Sequence, residues 1–297
     1  MLYTYTSVDS FIGMNQTARD HGMKDSLVFW ASSVYVMNDP TEFKYGRALA
    51  MNYLRRYEES ANIPPHQRLS TSFDDYELTS KEYGSKYDVY NFYLNNNLKT
   101  PFAISFTKSE DDLFMWNMYG DKGFGLCLGF EIQTRLSEDD ESEEILYDIN
   151  YSGKIDEDQK ILKKFLYFYE KWSDKVTNTC IEEKLVTRMM GASVVTGAIA
   201  PLLKKSSYSK EQEVRLLDYL DEMDELKFRS RNSKIIPFKE ICIKLNALKK
   251  IIIGPCCDKS QMHQNVNFVL NSRGLNLDIC KQADVEVVSS KILYRSI

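Results

Sequence analysis

Apolar and polar positions alternate in short runs at both ends of the chain and fall into a helical repeat in its middle. Leu2 to Thr6 reads as a short strand, followed by a turn and a helix start from Asp9 to Ala18, capped by Asp9 or Ser10. LVFWASSVYV, from Leu27 to Val36, is β-branched and aromatic and predicts a second strand. The Asn38-Asp39-Pro40 triplet behind it is a turn that can open a helix at Pro40. Phe102 to Thr107 predicts a third strand, and Leu113 to Tyr119 one or two helical turns ending near Gly120. In GFGLCLGFE, Phe124, Leu126, Leu128 and Phe130 alternate with Gly125, Cys127, Gly129 and Glu131, the period of a central strand with one apolar face. Ile145, Tyr147, Ile149 and Tyr151 alternate in the same way after an acidic, solvated loop from Ser137 to Glu144.

From Asp156 to Leu203 the apolar residues (Ile161, Phe165, Phe168, Trp172, Val176, then Leu185, Met189, Ala192, Val195, Ile199) recur every three to four positions. They predict two amphipathic helices broken near Asn178. Short strands return at Glu213 to Tyr219, Ile235 to Leu245, Lys250 to Gly254 and Val285 to Val288. Arg55 to Lys86 is polar, contains Pro64-Pro65 and has weak periodicity, so it reads as a loop insertion. Strands at both ends with helices between them predict one α+β domain over residues 1–297. It is built on a single mixed or antiparallel sheet, with an insertion at 55–86 and a helical lobe at 156–203.

Composition narrows the function classes. Hydrophobic residues at 43% and charged residues at 27% exclude a wholly disordered chain. A net charge of −5 argues against a whole-molecule footprint for nucleic acid. The N-terminal MLYTYTSVDSFIG has no basic flank and long apolar run, and no later run of uninterrupted apolar residues has membrane-spanning length, so a cytoplasmic protein without membrane association is expected. Six cysteines lack CxxC spacing and three histidines form no ligand cluster, so reduced thiols and no metal site are expected. No GxxxxGK[ST] loop, GxGxxG turn, HExxH or GxSxG is present, which leaves ATPase, Rossmann, zincin and α/β-hydrolase chemistry without support.

The chemically informative cluster is Glu211-Gln212-Glu213-Val214-Arg215. The two-residue period of a strand puts Glu211, Glu213 and Arg215 on one face. Paired carboxylates at a strand end can bind sugar hydroxyls and stabilise a positively charged, sugar-like transition state. The plainer alternative is a charged edge strand facing solvent. Asn38-Asp39-Pro40 reads equally as a turn or as a substrate-facing element, and Trp116 and Tyr119, on one helical face, as core or as a cofactor platform. Gly125 and Gly129 read as packing glycines.

The ordered set Leu2-Tyr3-Thr4-Tyr5-Thr6-Ser7, Asn38-Asp39-Pro40 with Glu42, Ser105-Phe106-Thr107, Met115-Trp116-Asn117-Met118-Tyr119, Gly125 to Phe130, Glu211 to Leu216 and Ile253-Gly254-Pro255 resembles the bacterial domain of unknown function twenty-nine seventy-one. That family in turn resembles, more distantly, the ADP-ribosyltransferase superfamily, with its split sheet. The resemblance implies an enzyme that cleaves NAD as substrate and transfers ADP-ribose, in a toxin or antiviral-defence setting. Its implied partners are NAD, a macromolecular acceptor (protein or nucleic acid) and an inhibitor protein. Carried onto this chain, Tyr5 and Thr6 contact the ribose, Asn38 and Ser105 support the NAD pocket, and Trp116 or Tyr119 stacks on nicotinamide. Glu213 is then the catalytic carboxylate, Glu211 orients the acceptor, and Arg215 completes the catalytic set. Thr4 stands where related sequences commonly have histidine.

Two alternatives stand beside this reading. One is a metal-dependent nuclease or phosphoesterase with Asp39, Glu42, Glu211 and Glu213 as oxygen ligands. The other is a non-catalytic nucleotide-binding module. Lys204, Lys205, Lys210, Lys227, Arg229, Arg231 and Lys234 form the one basic concentration; it reads as solvated surface, offset by Asp221, Glu222, Asp224 and Glu225.

Overall fold

Ten strands join in one sheet in the computed structural model, which describes residues 1–36, 41–72, 101–132, 146–219, 226–231, 233–272 and 285–293. The strands are β1 Leu2–Thr6, β2 Ser26–Ser33, β3 Pro101–Thr107, β4 Leu126–Phe130, β5 Leu146–Asp148, β6 Glu213–Tyr219, β7 Lys227–Arg231, β8 Lys234–Lys244, β9 Leu248–Ile253 and β10 Glu286–Ser289. The helices that position the site are α1 Val8–Asp20, α2 Glu42–Ser60, α3 Leu113–Tyr119, α4 Gln159–Asn178, α5 Ile181–Ile199 and α6 Lys259–Asn271. The named strand pairs are antiparallel except β9 with β10, which agrees with the mixed α+β sheet read from the sequence.

β3 is the organising strand. Along one edge it pairs with β6 over its whole length, from Pro101↔Tyr219 to Thr107↔Glu213. Its other edge is shared: β2 pairs at Ser33↔Phe102 and Ser32↔Ala103, and β1 pairs at Tyr3↔Thr107. β1 and β2 part between these contacts, so Ile104, Ser105 and Phe106 have no ladder partner on that side among the described residues.

Strand alternation then sorts the core into two faces. Phe102, Ile104 and Phe106 of β3, with Val214 and Leu216 of β6, join Phe29, Leu128, Phe130, Phe11 of α1 and Val266 of α6 in one cluster. On the opposite face Ala103 and Leu217 pack with α2, α4 and α5 through Leu54, Phe165, Val195 and Ile199. Also on that face, Tyr3, Tyr5 and Cys127 pack on Met115 and Trp116 of α3. Between these last two clusters runs a polar strip formed by Ser105 and Thr107 of β3 with Glu213 and Arg215 of β6.

Several expectations are corrected. Ser7, two residues before the expected cap Asp9, caps α1 by accepting from Ser10 N at 3.2 Å. The segment from Arg55 is a loop only from residue 61, where turns and the short 3-10 helix Pro65–Gln67 begin; before that α2 continues to Ser60. Its fully buried Glu58 accepts from Leu69 N at 2.6 Å and Ser70 N at 3.1 Å, folding the chain back onto the helices. Residues 73–86 of that expected insertion lie outside the described residues, as does the Ser137 to Glu144 acidic stretch. The two helices of the lobe form as expected and break at Thr179 and Cys180, but α5 is buried around most of its circumference rather than amphipathic, since the sheet, α2 and α4 all pack on it. Glu183–Leu202 has the length and mean hydropathy (1.4) of a membrane span, and 72% of it is buried inside the fold, the place of a core helix. β7 and α6 form where the sequence showed only a basic run and no clear period.

Candidate active site

Glu213 opens β6 immediately after Gln212, whose φ of 43° puts it in the left-handed region that non-glycine residues seldom occupy. The chain therefore turns sharply there. Glu211 ends a 3-10 turn, Ser206–Glu211, and its carbonyl accepts from Thr107 Oγ1 at 2.6 Å. Alternation places Glu213 and Arg215 on one strand face; Glu211 reaches the same place by the turn and not by the strand period. β6 lies between β3 and β5, and Glu211, Glu213 and Arg215 are 4%, 6% and 1% exposed, so the solvent-facing edge-strand alternative is overturned.

Burial of three such residues requires partners. Lys204 Nζ lies 2.5 Å from Glu211, 2.9 Å from Glu213 and 3.3 Å from Glu42. Arg215 donates through Nε to Glu213 at 2.7 Å, through Nη1 to the Pro201 carbonyl at 2.6 Å, and through Nη2 to Glu42 and Glu213. Ser105 Oγ donates to Glu213 at 2.6 Å, Tyr119 Oη donates to Glu211 at 2.7 Å, and Glu213 N donates to Tyr151 Oη at 2.9 Å. Three carboxylates meet two cations, which leaves the cluster with one formal negative charge.

The accepting positions are unequally used. Each Glu213 oxygen takes two hydrogen bonds, which fills a carboxylate's capacity, whereas each Glu211 oxygen takes one from Tyr119 or Lys204. Glu213 is therefore a fixed charge more than a free hand for a ligand. Burial alone would raise its carboxyl, but Arg215 and Lys204, with hydrogen bonds from Arg215 and Ser105, hold it down at about 2. Burial opposes the charge on Lys204 as well, and Glu213 and Glu42 outweigh it, so the ammonium is held above its ordinary value. Burial, and then Glu211, raise the Tyr119 hydroxyl, and burial pushes Tyr151 up to about 12, so both hydroxyls remain protonated at neutral pH.

Above this cluster a cavity of about 300 Å³ passes through the opening between β1 and β2. Thr4, Thr6, Trp30, Ser32, Ser105 and Arg229 line its walls together with the carboxylate cluster. Ser105 is exposed although its strand neighbours Ile104 and Phe106 are buried, so its hydroxyl is the accessible face of Glu213.

The structure thus brings together Tyr5, Thr6, Ser105, Tyr119, Glu211, Glu213 and Arg215 around one cavity. Their individual positions differ from expectation in three ways. Tyr5 Oη is engaged on the α3 end, donating to the Ser109 carbonyl at 3.1 Å and accepting from Asp112 N at 2.8 Å. Trp116 is fully buried beneath Tyr5, edge to face at 4.8 Å, with Nε1 donating to Asp111; it is core, and a ligand does not reach its ring. Arg215 is a fully buried staple joining β6, α2 and the Pro201 turn. Asn38, with Asp39 and Pro40, lies outside the described residues.

Lys204 and Tyr151 were not legible as site residues. Lys204 counted with the surface cations, yet it is 5% exposed; the signal was its position directly behind the apolar run Ile199 to Leu203, where a cation must find an anion. Gly125 and Gly129 pack as expected: a side chain on Gly125 would stand 2.1 Å from the Thr6 carbonyl oxygen, and one on Gly129 would meet Tyr3 at 3.0 Å.

Residues 115–216 match the model of a family described as a protein of unknown function (DUF2971). The match spans α3, β4, β5, the helical lobe and the first half of β6, and so takes in Tyr119, Lys204, Glu211, Glu213 and Arg215 but not β1, β2 or β3. No curated protein and no solved structure matches the chain.

Proposed function

We propose that the protein cleaves the N-glycosidic bond of NAD and transfers ADP-ribose to a macromolecule, as the ADP-ribosyltransferase superfamily it distantly resembles would do. The observation that carries this reading is a buried cluster with one surplus negative charge, placed beneath a cavity where two strands of the sheet part. The parting of β1 from β2 along β3 supports a split sheet of that superfamily's kind.

As the bond breaks, nicotinamide leaves with its electron pair and becomes neutral, while positive charge develops on the ribose. A fixed anion in a water-poor site stabilises that charge without reorganising. A ribose hydroxyl donates to Ser105 Oγ, whose own proton is held by Glu213. The acceptor's lone pair then forms the new bond to the ribose carbon, and its proton passes to Glu211, which has unused acceptor positions. Glu213 thereby acts through Ser105 and through its field instead of by direct contact. The cytoplasmic setting, the acceptor and an inhibitor protein belong to the same proposal.

Lys204 weighs against the metal-dependent alternative: its ammonium occupies the point where Glu42, Glu211 and Glu213 converge. The test is nicotinamide release from NAD, with and without cell extract as acceptor source. Glu213→Gln and Glu211→Gln are each expected to slow release by about 10²–10³-fold, and a chelator to leave it unchanged. No release and no NAD binding by the wild-type chain would overturn the proposal, and activity lost to the chelator would replace it with the metal-dependent one.

A further inference from the structure

Cys256 and Cys257 are consecutive residues in the turn between β9 and α6, both free thiols and both partly exposed. Gly254 N donates to the Gly125 carbonyl at 3.0 Å, Cys256 N to that of Gly123 at 3.0 Å, and the Cys257 thiol to that of Phe124 at 3.2 Å. Three consecutive carbonyls are thus held by this one turn. Cys256 Sγ borders the same segment, since a Cβ added to Gly123 would stand 3.1 Å from it. The two sulfurs therefore converge on residues 123–125. That segment needs holding: Asp121 and Lys122, at φ 51° and 53°, occupy the left-handed region that side chains disfavour, and Gly123 follows at φ 87°. It joins Tyr119, the donor to Glu211, to β4, and at Gly125 it abuts the Thr6 carbonyl on the cavity wall.

We propose that Cys256 and Cys257 form a reversible dithiol–disulfide site, oxidised by a small-molecule disulfide, and that oxidation loosens the turn leading from Tyr119 into β4. One cysteine thiolate attacks the reagent's disulfide and expels a thiolate; the neighbouring cysteine, on losing its proton, attacks the mixed disulfide and expels the second. The chain loses two electrons and two protons, and the reagent becomes two thiols. Burial raises the Cys257 thiol, so its step quickens as pH rises. Adjacent Cα atoms stand about 3.8 Å apart, less than the roughly 4.4 Å at which ordinary disulfides begin. The bond is therefore strained and readily reduced again. Closing it removes the thiol proton that the Phe124 carbonyl accepts and draws the sulfurs towards each other, off residues 123–125. The site goes beyond the NAD reading and does not depend on it.

In the test the full chain is incubated with oxidised glutathione, its remaining thiols are alkylated, and it is digested with trypsin. The peptide from Ile251 to Lys259 carries both cysteines and no other. It is expected to escape alkylation and to be lighter than the reduced peptide by two hydrogen atoms, and dithiothreitol added before alkylation to reverse both changes. In Cys257→Ser the same peptide is expected to carry one glutathione instead. Amide exchange in residues 120–125 is expected to quicken at least about tenfold on oxidation, while β3 and β6 keep their protection. A wild-type peptide alkylated at both cysteines, or carrying glutathione without closing, would overturn the site. Closure with unaltered exchange at 120–125 would overturn its coupling to the turn, and quickening that extends to β3 and β6 would make the bond a denaturing lesion and overturn its reversible role.

Discussion

At the scale of single residues, the site is governed by the cost of burying charge. Lys204 and Arg215 offset two of the three negative charges of Glu42, Glu211 and Glu213 in a place water scarcely enters. Lys204→Met keeps much of the side-chain volume but leaves Glu211 and Glu213 short of a cation, and is expected to destabilise the fold by about 3 kcal/mol in urea unfolding at neutral pH. A loss under about 1 kcal/mol would mean that water screens the carboxylates as it does at a surface. Glu213 gives the pH dependence its sign. Its folded value of about 2 lies below the ordinary 4.5, so its stabilisation is complete above pH 4.5 and is lost as pH falls from there towards 2. Glu213→Gln is therefore expected to flatten the acid limb of stability against pH, and an unchanged limb would remove Glu213 from that role. The carboxylate pair was legible in the sequence as Glu211 and Glu213, because a short polar motif entering a β-rich segment is conspicuous. The buried cation Lys204 was not, since it lies seven residues from Glu211 across a turn and reads with the surface lysines.

Among the elements, α2 and the Ala200–Leu202 turn decide whether the cluster closes, because one carries Glu42 and the other leads into Lys204. They meet at Gly46. A Cβ there would stand 2.2 Å from the Ala200 carbonyl oxygen and 3.1 Å from that of Leu203, both of them backbone atoms that cannot rotate away. Gly46→Ala gains helix propensity yet is expected to cost about 1–3 kcal/mol by overpacking, and to weaken ADP-ribose binding by separating Glu42 from Lys204. Thermal melting and calorimetry check both; an equally stable variant would show that α2 can shift freely. The helical repeat of the lobe was visible in the sequence because α4 keeps a polar outer face. The end of α2 was not, since Arg55 to Ser60 is polar and its anchoring contacts run from Glu58 to Leu69 and Ser70.

Across the whole molecule, β3 and β6 give side chains to both core faces, so the helical lobe and the opposite cluster share one sheet. Phe165, fully buried on the lobe side, and Phe106, at 2% exposure on the other, are each expected to cost about 3–5 kcal/mol as alanine. In both variants tryptophan fluorescence and far-UV circular dichroism should report one coincident transition; separate transitions would make the lobe an independent domain. What the amino-acid order determined by itself was local: strands with a period of two, helices with a period near three and a half, and turns at their ends, all set by interactions between near neighbours. Only the tertiary structure decided that β1 and β2 part along β3, that a lysine read as surface becomes a buried counter-ion, and that Arg229 and Glu213 line one cavity. Those outcomes depend on contacts between residues far apart in the chain, whose charges and shapes are recorded in the sequence while their meeting is not.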